Sequence, residues 1–174
     1  MAESLSCLAA PDGLCFNAAV QQSLLAFVDD FYEDLELWYP KLHLEEAGCE
    51  LRLAGQEVKG HVGKSGCRLR ADLLLRDVQS ADFCGLLIPG GFMSDRLRRK
   101  AQVLTREFFT QGKLVAFIGR VGWIPISAKI LPGRRVTGSL GIKDDLENAG
   151  TLLVSAPVVV DDGCILGLAL GIGL

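Results

Sequence analysis

Residues 113 to 131, KLVAFIGRVGWIPISAKIL, have the form of a place for a reacting group. Leu114 to Ile118 reads as a short buried strand, Gly119 to Gly122 as a sharp turn, and Trp123 to Leu131 as the helix that follows. A strand that breaks sharply into a helix is where α/β hydrolytic enzymes expose a nucleophile, because the turn lifts one side chain at the helix N-terminus. This turn offers Gly119 and Arg120 and no serine, cysteine or threonine. Two further loops follow apolar runs that read as strands: DDFYED, with Glu33, and IPGG, with Gly90 and Gly91. In a parallel sheet ligands bind beyond the carboxyl ends of the strands, so these three loops are expected to line one pocket.

The elements that must position them follow from periodicity. SLLAFV, from Ser23, is a continuous apolar run bounded by Asp29-Asp30, as a strand covered on both faces requires. EDLELWYPKLHLEEAG has helical spacing of Leu35, Trp38 and Leu42, closes at Gly48, and contains Pro40, which implies a kink or a start only there. CELRLAG alternates as a second strand, residues 57 to 71 read as a hairpin or excursion, and CGLLIPGG is a buried strand ending in a glycine turn. SDRLRRKAQVLTREFFTQG is an amphipathic helix with Ser94 as N-cap and Gly112 as stop. RRVTG (strand), IKDDLENAG (short helix) and PVVVDDGCILGLAL (one or two strands) complete the order. Strands alternating with helices give an α/β fold, a mostly parallel sheet with helices on both faces. Residues 1–22 carry no period and read as an extension, so the domain is placed at 23–174.

Bulk composition narrows the function. The 174 residues suit one domain, and 49% apolar with 22% charged is an ordinary globular mixture. A net charge of −3 argues against nucleic acid or a membrane surface as partner, and DRLRRK reads as a solvated helix face. The N-terminus lacks the basic region of a secretion signal, and the apolar tail CILGLALGIGL, 11 residues, is short of the roughly 20 that span a bilayer. The six cysteines, at 7, 15, 49, 67, 84 and 164, have neither CxxC nor zinc spacing, so a reducing, cytoplasmic setting is expected. Asp144, Asp145 and Glu147 suit the first turn of a helix, and His43 and His61 have no carboxylate or cysteine at ligand spacing. No metal and no cofactor are expected.

YEDLELWYPKLHLEEAG, ADFCGLLIPGGFMSDRLRR, QGKLVAFIGRVGW and GRRVTGSLGIKDDLENAG, in that order and spacing, resemble the DJ-1/PfpI family, also called ThiJ/PfpI or peptidase C56-like, in its PfpI-type branch. The resemblance runs from about Ser23 to Asp162. It implies a flavodoxin-like, class I glutamine-amidotransferase-like three-layer α/β sandwich, and homo-oligomers with interfaces close to the elbow. Relatives that act as enzymes carry cysteine at the elbow in a stretch like A-I-C-H-G-P-W; here Gly119 stands at the cysteine position and Arg120 at the histidine. The resemblance further implies Glu33 as the acid that contacts the sulfur, and Gly90 and Gly91 as N–H donors to an oxyanion. TGSLG, 137 to 141, departs from the family's T-S-Y-P-S, and after VVVDDG the relatives continue into a further strand and a last helix where this chain has CILGLALGIGL.

Glycine cannot replace an attacking thiolate, and it relaxes the strained backbone that a nucleophile there must adopt. The expected protein is therefore a pseudoenzyme that acts by binding or self-assembly, with Arg120, Gly90 and Gly91 available to a small carboxylate or phosphate. The bland alternative pairs Arg120 with Glu33 or with a neighbouring subunit's carboxylate, or turns it to water. The competing functional expectation is protease-, glyoxalase- or deglycase-type hydrolysis without the elbow cysteine, with Glu33 as general base. A further expectation is that the tail forms an exposed apolar strand and that the chain folds poorly.

Overall fold

The computed structural model describes residues 23–162 and 165–168. The proposed extension, residues 1–22, lies outside them, as do Cys7, Cys15 and Cys164. Strand β1 (Ser23–Phe27) leads into helix α1 (Asp34–Glu46) and strand β2 (Glu50–Gly55). Strands β3 (Gly60–Val62) and β4 (Arg68–Arg70) form an antiparallel hairpin, followed by the two-residue β5 (Leu73–Leu74). Then come β6 (Gly85–Ile88), α2 (Met93–Thr110), β7 (Leu114–Ile118) and α3 (Trp123–Ala128). The chain continues through β8 (Arg135–Val136), α4 (Lys143–Asn148), β9 (Leu152–Leu153), β10 (Val158–Asp161) and β11 (Ile165–Leu168).

The main sheet has seven strands in the order β10-β11-β7-β6-β1-β2-β5, and every pair but β10-β11 is parallel. Leu24 to Phe27, Gly85 to Ile88 and Val115 to Ile118 are buried at every consecutive position, so these strands are covered on both faces. That is the three-layer arrangement the alternation of elements implies. The chain leaves β1 for β2 on one side and returns to place β6 on the other. The gap between the carboxyl ends of β1 and β6 is therefore a topological switch point, where open α/β sheets take their ligands.

Several expectations need correcting. Pro40 has no N–H to give the Glu36 carbonyl, yet α1 neither starts late nor breaks there but runs unbroken from Asp34 to Glu46. Ser94 is not an N-cap: α2 begins at Met93, and the buried Ser94 hydroxyl in its first turn donates to the Gly91 carbonyl at 3.4 Å. Helix α3 ends at Ala128 instead of Leu131, because Lys129 takes a left-handed conformation (φ 57°). Of the apolar tail, the described Ile165–Leu168 form β11, which lies inside the sheet between β7 and β10 and is hydrogen-bonded to both instead of standing at an edge.

The β3-β4 hairpin matters because it overhangs the start of α1. Its tip is held by Asp34, 4% exposed, whose carboxylate accepts the Ser65 N–H at 2.7 Å and the Cys67 N–H at 3.0 Å. Burial alone would raise the Asp34 carboxyl, but these N–H bonds outweigh it and hold it below the ordinary range. A depressed folded-state value means the stabilisation is present above about pH 3.9, the unfolded value, and is lost as pH falls through the folded one. Asp34→Ala is expected to cost about 2 kcal/mol in urea unfolding at neutral pH, because two N–H groups lose a charged acceptor. The difference from the natural chain should shrink below about pH 4; a deficit that stays constant down to acid unfolding would show that the carboxylate is not the clamp.

Candidate active site

At the switch point lies a cavity of about 300 Å³, lined by residues from the ends of β1, β6 and β7 and by Lys64 of the hairpin. The three loops singled out in the sequence do meet there: Glu33, Gly91, Gly119 and Arg120 all line it. Glu36 lines it as well, and it changes the assignment of roles.

The carboxylate beside the elbow belongs to Glu36 and not to Glu33. Gly119 has φ +67°, and a Cβ built on it would lie 2.8 Å from Glu36 Oε1. The other oxygen, Oε2, accepts the Gly90 N–H at 2.6 Å. A Cβ on Gly90 would collide with that same oxygen, and one on Gly91, at φ +98°, would collide with the Phe31 carbonyl. Gly91 is thus required by backbone close approach and positive φ, and Gly90 leaves room for the Glu36 carboxylate, to which its N–H is committed, which corrects its assignment as an oxyanion donor. Glu33 stands just before α1 and pairs with Lys64. The spacing of the two acids explains the difference. Glu33 precedes the first turn and faces the hairpin, whereas Glu36, one turn on and next to buried Leu37, faces the sheet.

Burial pushes the Glu36 carboxyl above the usual carboxylate range; the Gly90 N–H works against that shift, and the charge of Glu33 adds to it. Arg120 is not clamped on Glu33. It is exposed, forms no ion pair among the described residues, and its guanidinium packs over Gly141 of the loop that crosses the elbow. That loop is held by the Ser139 N–H bonded to the Gly119 carbonyl at 3.2 Å. Helix α3 is too short, at six residues, to contribute much dipole, so an anion would rely on the side-chain cations Arg120 and Lys64.

Two hydroxyls line the cavity, Ser94 and Ser139. The first donates to the Gly91 carbonyl and the second accepts the Gly141 N–H, and no histidine lines the cavity to ionise either. Of the cysteines, Cys49, Cys67 and Cys84 fall among the described residues, and none lines the cavity. The Cys67 thiol is raised by its hydrogen bond to Asp34, and burial raises those of Cys49 and Cys84, all opposite to the activation a nucleophile needs.

The sequence missed three things. Glu36 could have been found as the acid three residues after Glu33, which puts it one turn further along, in the first turn of α1 with Asp34. Lys64 was not legible, since its partner Glu33 is 31 residues away. Nor was the neighbourhood of His61, which the hairpin brings against Asp29 and Asp30, about 30 residues earlier in the chain.

Glu36 should make stability depend on pH in the sense opposite to Asp34. Its raised folded-state value favours the folded chain below about pH 4.3, the unfolded value, and that advantage is lost as pH rises through the folded value. Glu36→Gln keeps an oxygen for the Gly90 N–H and removes the buried charge. It is expected to be more stable than the natural chain at neutral pH, with the gain vanishing near pH 4 in denaturant melts; a variant less stable at pH 7 would mean the charge is compensated.

Comparison with known proteins places these features in context. The sequence pattern of the DJ-1/PfpI family matches residues 22–167. The chain is 41% identical over 144 residues to an uncharacterized protein of Archaeoglobus fulgidus, covering 82% of this chain and 86% of that one. It is 41% identical over 132 residues to the protein named Deglycase PfpI of Pyrococcus furiosus, covering 75% and 80%. The crystal structure of a ThiJ/PfpI domain protein from Brachyspira murdochii superposes with a TM-score of 0.81 at 25% identity, covering 86% of this chain and 87% of that one.

Proposed function

The chain belongs to the DJ-1/PfpI family, with PfpI-type relatives, and we propose that within it this protein is catalytically silent at the elbow and acts by binding a small carboxylate or phosphate. The observation that carries this reading is the elbow itself. Where the resemblance puts a cysteine there is Gly119, and a carboxylate oxygen of Glu36 already stands 2.8 Å from where a side chain would begin. A thiolate is the attacking species in cysteine catalysis, and no lining residue supplies one. An anion here would be met by Arg120 at the rim, which is not paired with Glu33, and by Lys64, which shares itself with Glu33, against the lining carboxylates Glu33, Glu36 and Asp95.

Self-association close to the elbow belongs to the same proposal. Phe92, which lines the cavity, is 60% exposed, and Leu140, on the loop crossing the elbow, is 75% exposed. Sedimentation velocity reads this directly: a monomer at tens of micromolar concentration removes it.

One observation favours a second reading, hydrolytic chemistry without cysteine. Burial pushes the Glu36 carboxyl above the usual carboxylate range, the direction a general acid or base needs, and relatives bear the name deglycase. Turnover of methylglyoxal decides between the two. The natural chain is expected to be inert, and the Gly119→Cys, Arg120→His double variant, in which Glu36 must swing aside for the new thiol, is expected to gain about tenfold or more over it. Turnover by the natural chain that is lost in Glu36→Gln would overturn the silent reading in favour of the second.

A further inference from the structure

A second cavity, of about 360 Å³, is lined by Asp29, Gln56, Glu57, Lys59, His61 and Arg96, none of which lines the first. His61, on β3, is 1% exposed. Its Nε2 stands 3.3 Å from the Glu57 carbonyl oxygen, which can only accept, so Nε2 carries a proton and Nδ1 of the neutral ring presents a lone pair. That Nδ1 has no hydrogen-bond partner. It faces acceptors instead: Asp29 Oδ1 at 3.7 Å and Asp30 Oδ1 at 3.5 Å. A buried lone pair aimed at two carboxylates is unfavourable unless something positive lies between them.

We propose that His61 Nδ1, Asp29 and Asp30 bind a divalent cation of the zinc class. The three donor atoms lie within 4.8 Å of one another. Tetrahedral Zn²⁺ at about 2.0–2.2 Å from each ligand sets the ligands roughly 3.4 Å apart, close to the two distances from His61. The remaining imidazole nitrogen donates to a backbone carbonyl, as metal-bound histidines do to fix their ring. The carboxylates are themselves oriented. Asp29 accepts the Asp30 N–H at 2.7 Å and the Gln56 amide at 3.1 Å, and Asp30 accepts the Val62 N–H at 3.2 Å. Asp29 and His61 both line the cavity, which leaves room for an ion to enter.

The other charged groups here are Glu57, Lys59 and Arg96. Lys59 pairs with Glu57. Arg96, on α2, reaches both aspartates from 3.9 Å with a half-exposed side chain that also lies over the Phe31 ring, 5.8 Å from its centroid. Arg96 is the built-in competitor of the metal, which separates this site from a structural ion cluster.

The test uses the full chain with its accessible thiols alkylated, and Zn²⁺ in competition with a chromophoric chelator. One equivalent should bind; Asp30→Asn and His61→Gln should each weaken binding by at least about tenfold. Arg96→Ala should tighten it by about three- to tenfold, since a like charge near 4 Å is removed. In long-range ¹H–¹⁵N spectra the His61 Nδ1 resonance should shift on adding Zn²⁺. Should His61→Gln fail to fold, Asp30→Asn and Arg96→Ala still decide. Absence of stoichiometric binding, as when a proton alone bridges Nδ1 and the carboxylates, overturns the proposal. So does a site that neither Asp30→Asn nor Arg96→Ala alters.

Discussion

The structure turns on one buried carboxylate. Glu36 sits where the first turn of α1 meets the ends of β6 and β7, with one oxygen on the Gly90 N–H and the other over Gly119. At Gly91 nothing bulkier than glycine fits against the backbone leaving β1, and at Gly90 a Cβ would have to displace the Glu36 carboxylate. The same proximity requires the chain to leave β1 in a tight passage, which places Glu33 before the helix and Asp34 at its first position. Asp34 in turn holds the hairpin tip that delivers Lys64 to Glu33. The cavity is thus a consequence of how α1 docks, and its charges are arranged around one acid that burial keeps from ionising easily.

Such an acid has different consequences with and without a nucleophile beside it. Next to a thiol it would be a proton partner at the reacting atom. Next to Gly119 it fills the space a side chain would take and occupies one of the two N–H groups an oxyanion would need. The elbow turns at Gly119 with φ +67°, a conformation that glycine adopts without strain and a side-chain-bearing residue would not.

Much of the fold was legible in the chain because its signals are local. The apolar runs at Ser23, Gly85 and Leu114 are strands buried on both faces, and Gly48 and Gly112 close their helices in left-handed conformations. The two-residue β5 was missed because so short a run has no period to read. The place of Ile165–Leu168 inside the sheet was not read, because pairing with β7 and β10 is a long-range property, invisible in an apolar run alone. The site was legible as three loops meeting, but the choice between Glu33 and Glu36 depends on which lies inside the helix, and a boundary shifted by two or three residues reverses it. The contacts of Lys64 and His61 come from the fold of a hairpin over another element, and no spacing in the sequence encodes them.

The claim that Glu36 holds the elbow closed is tested most directly by the Gly90 amide in ¹H–¹⁵N spectra recorded across pH. A short bond to a carboxylate should place that proton far downfield, and it should move in one step with a midpoint above the ordinary glutamate range, the step vanishing in Glu36→Gln. A Gly90 resonance at an ordinary position that ignores pH, or that still titrates in Glu36→Gln, would mean the carboxylate is elsewhere and the Gly90 N–H is open to a substrate.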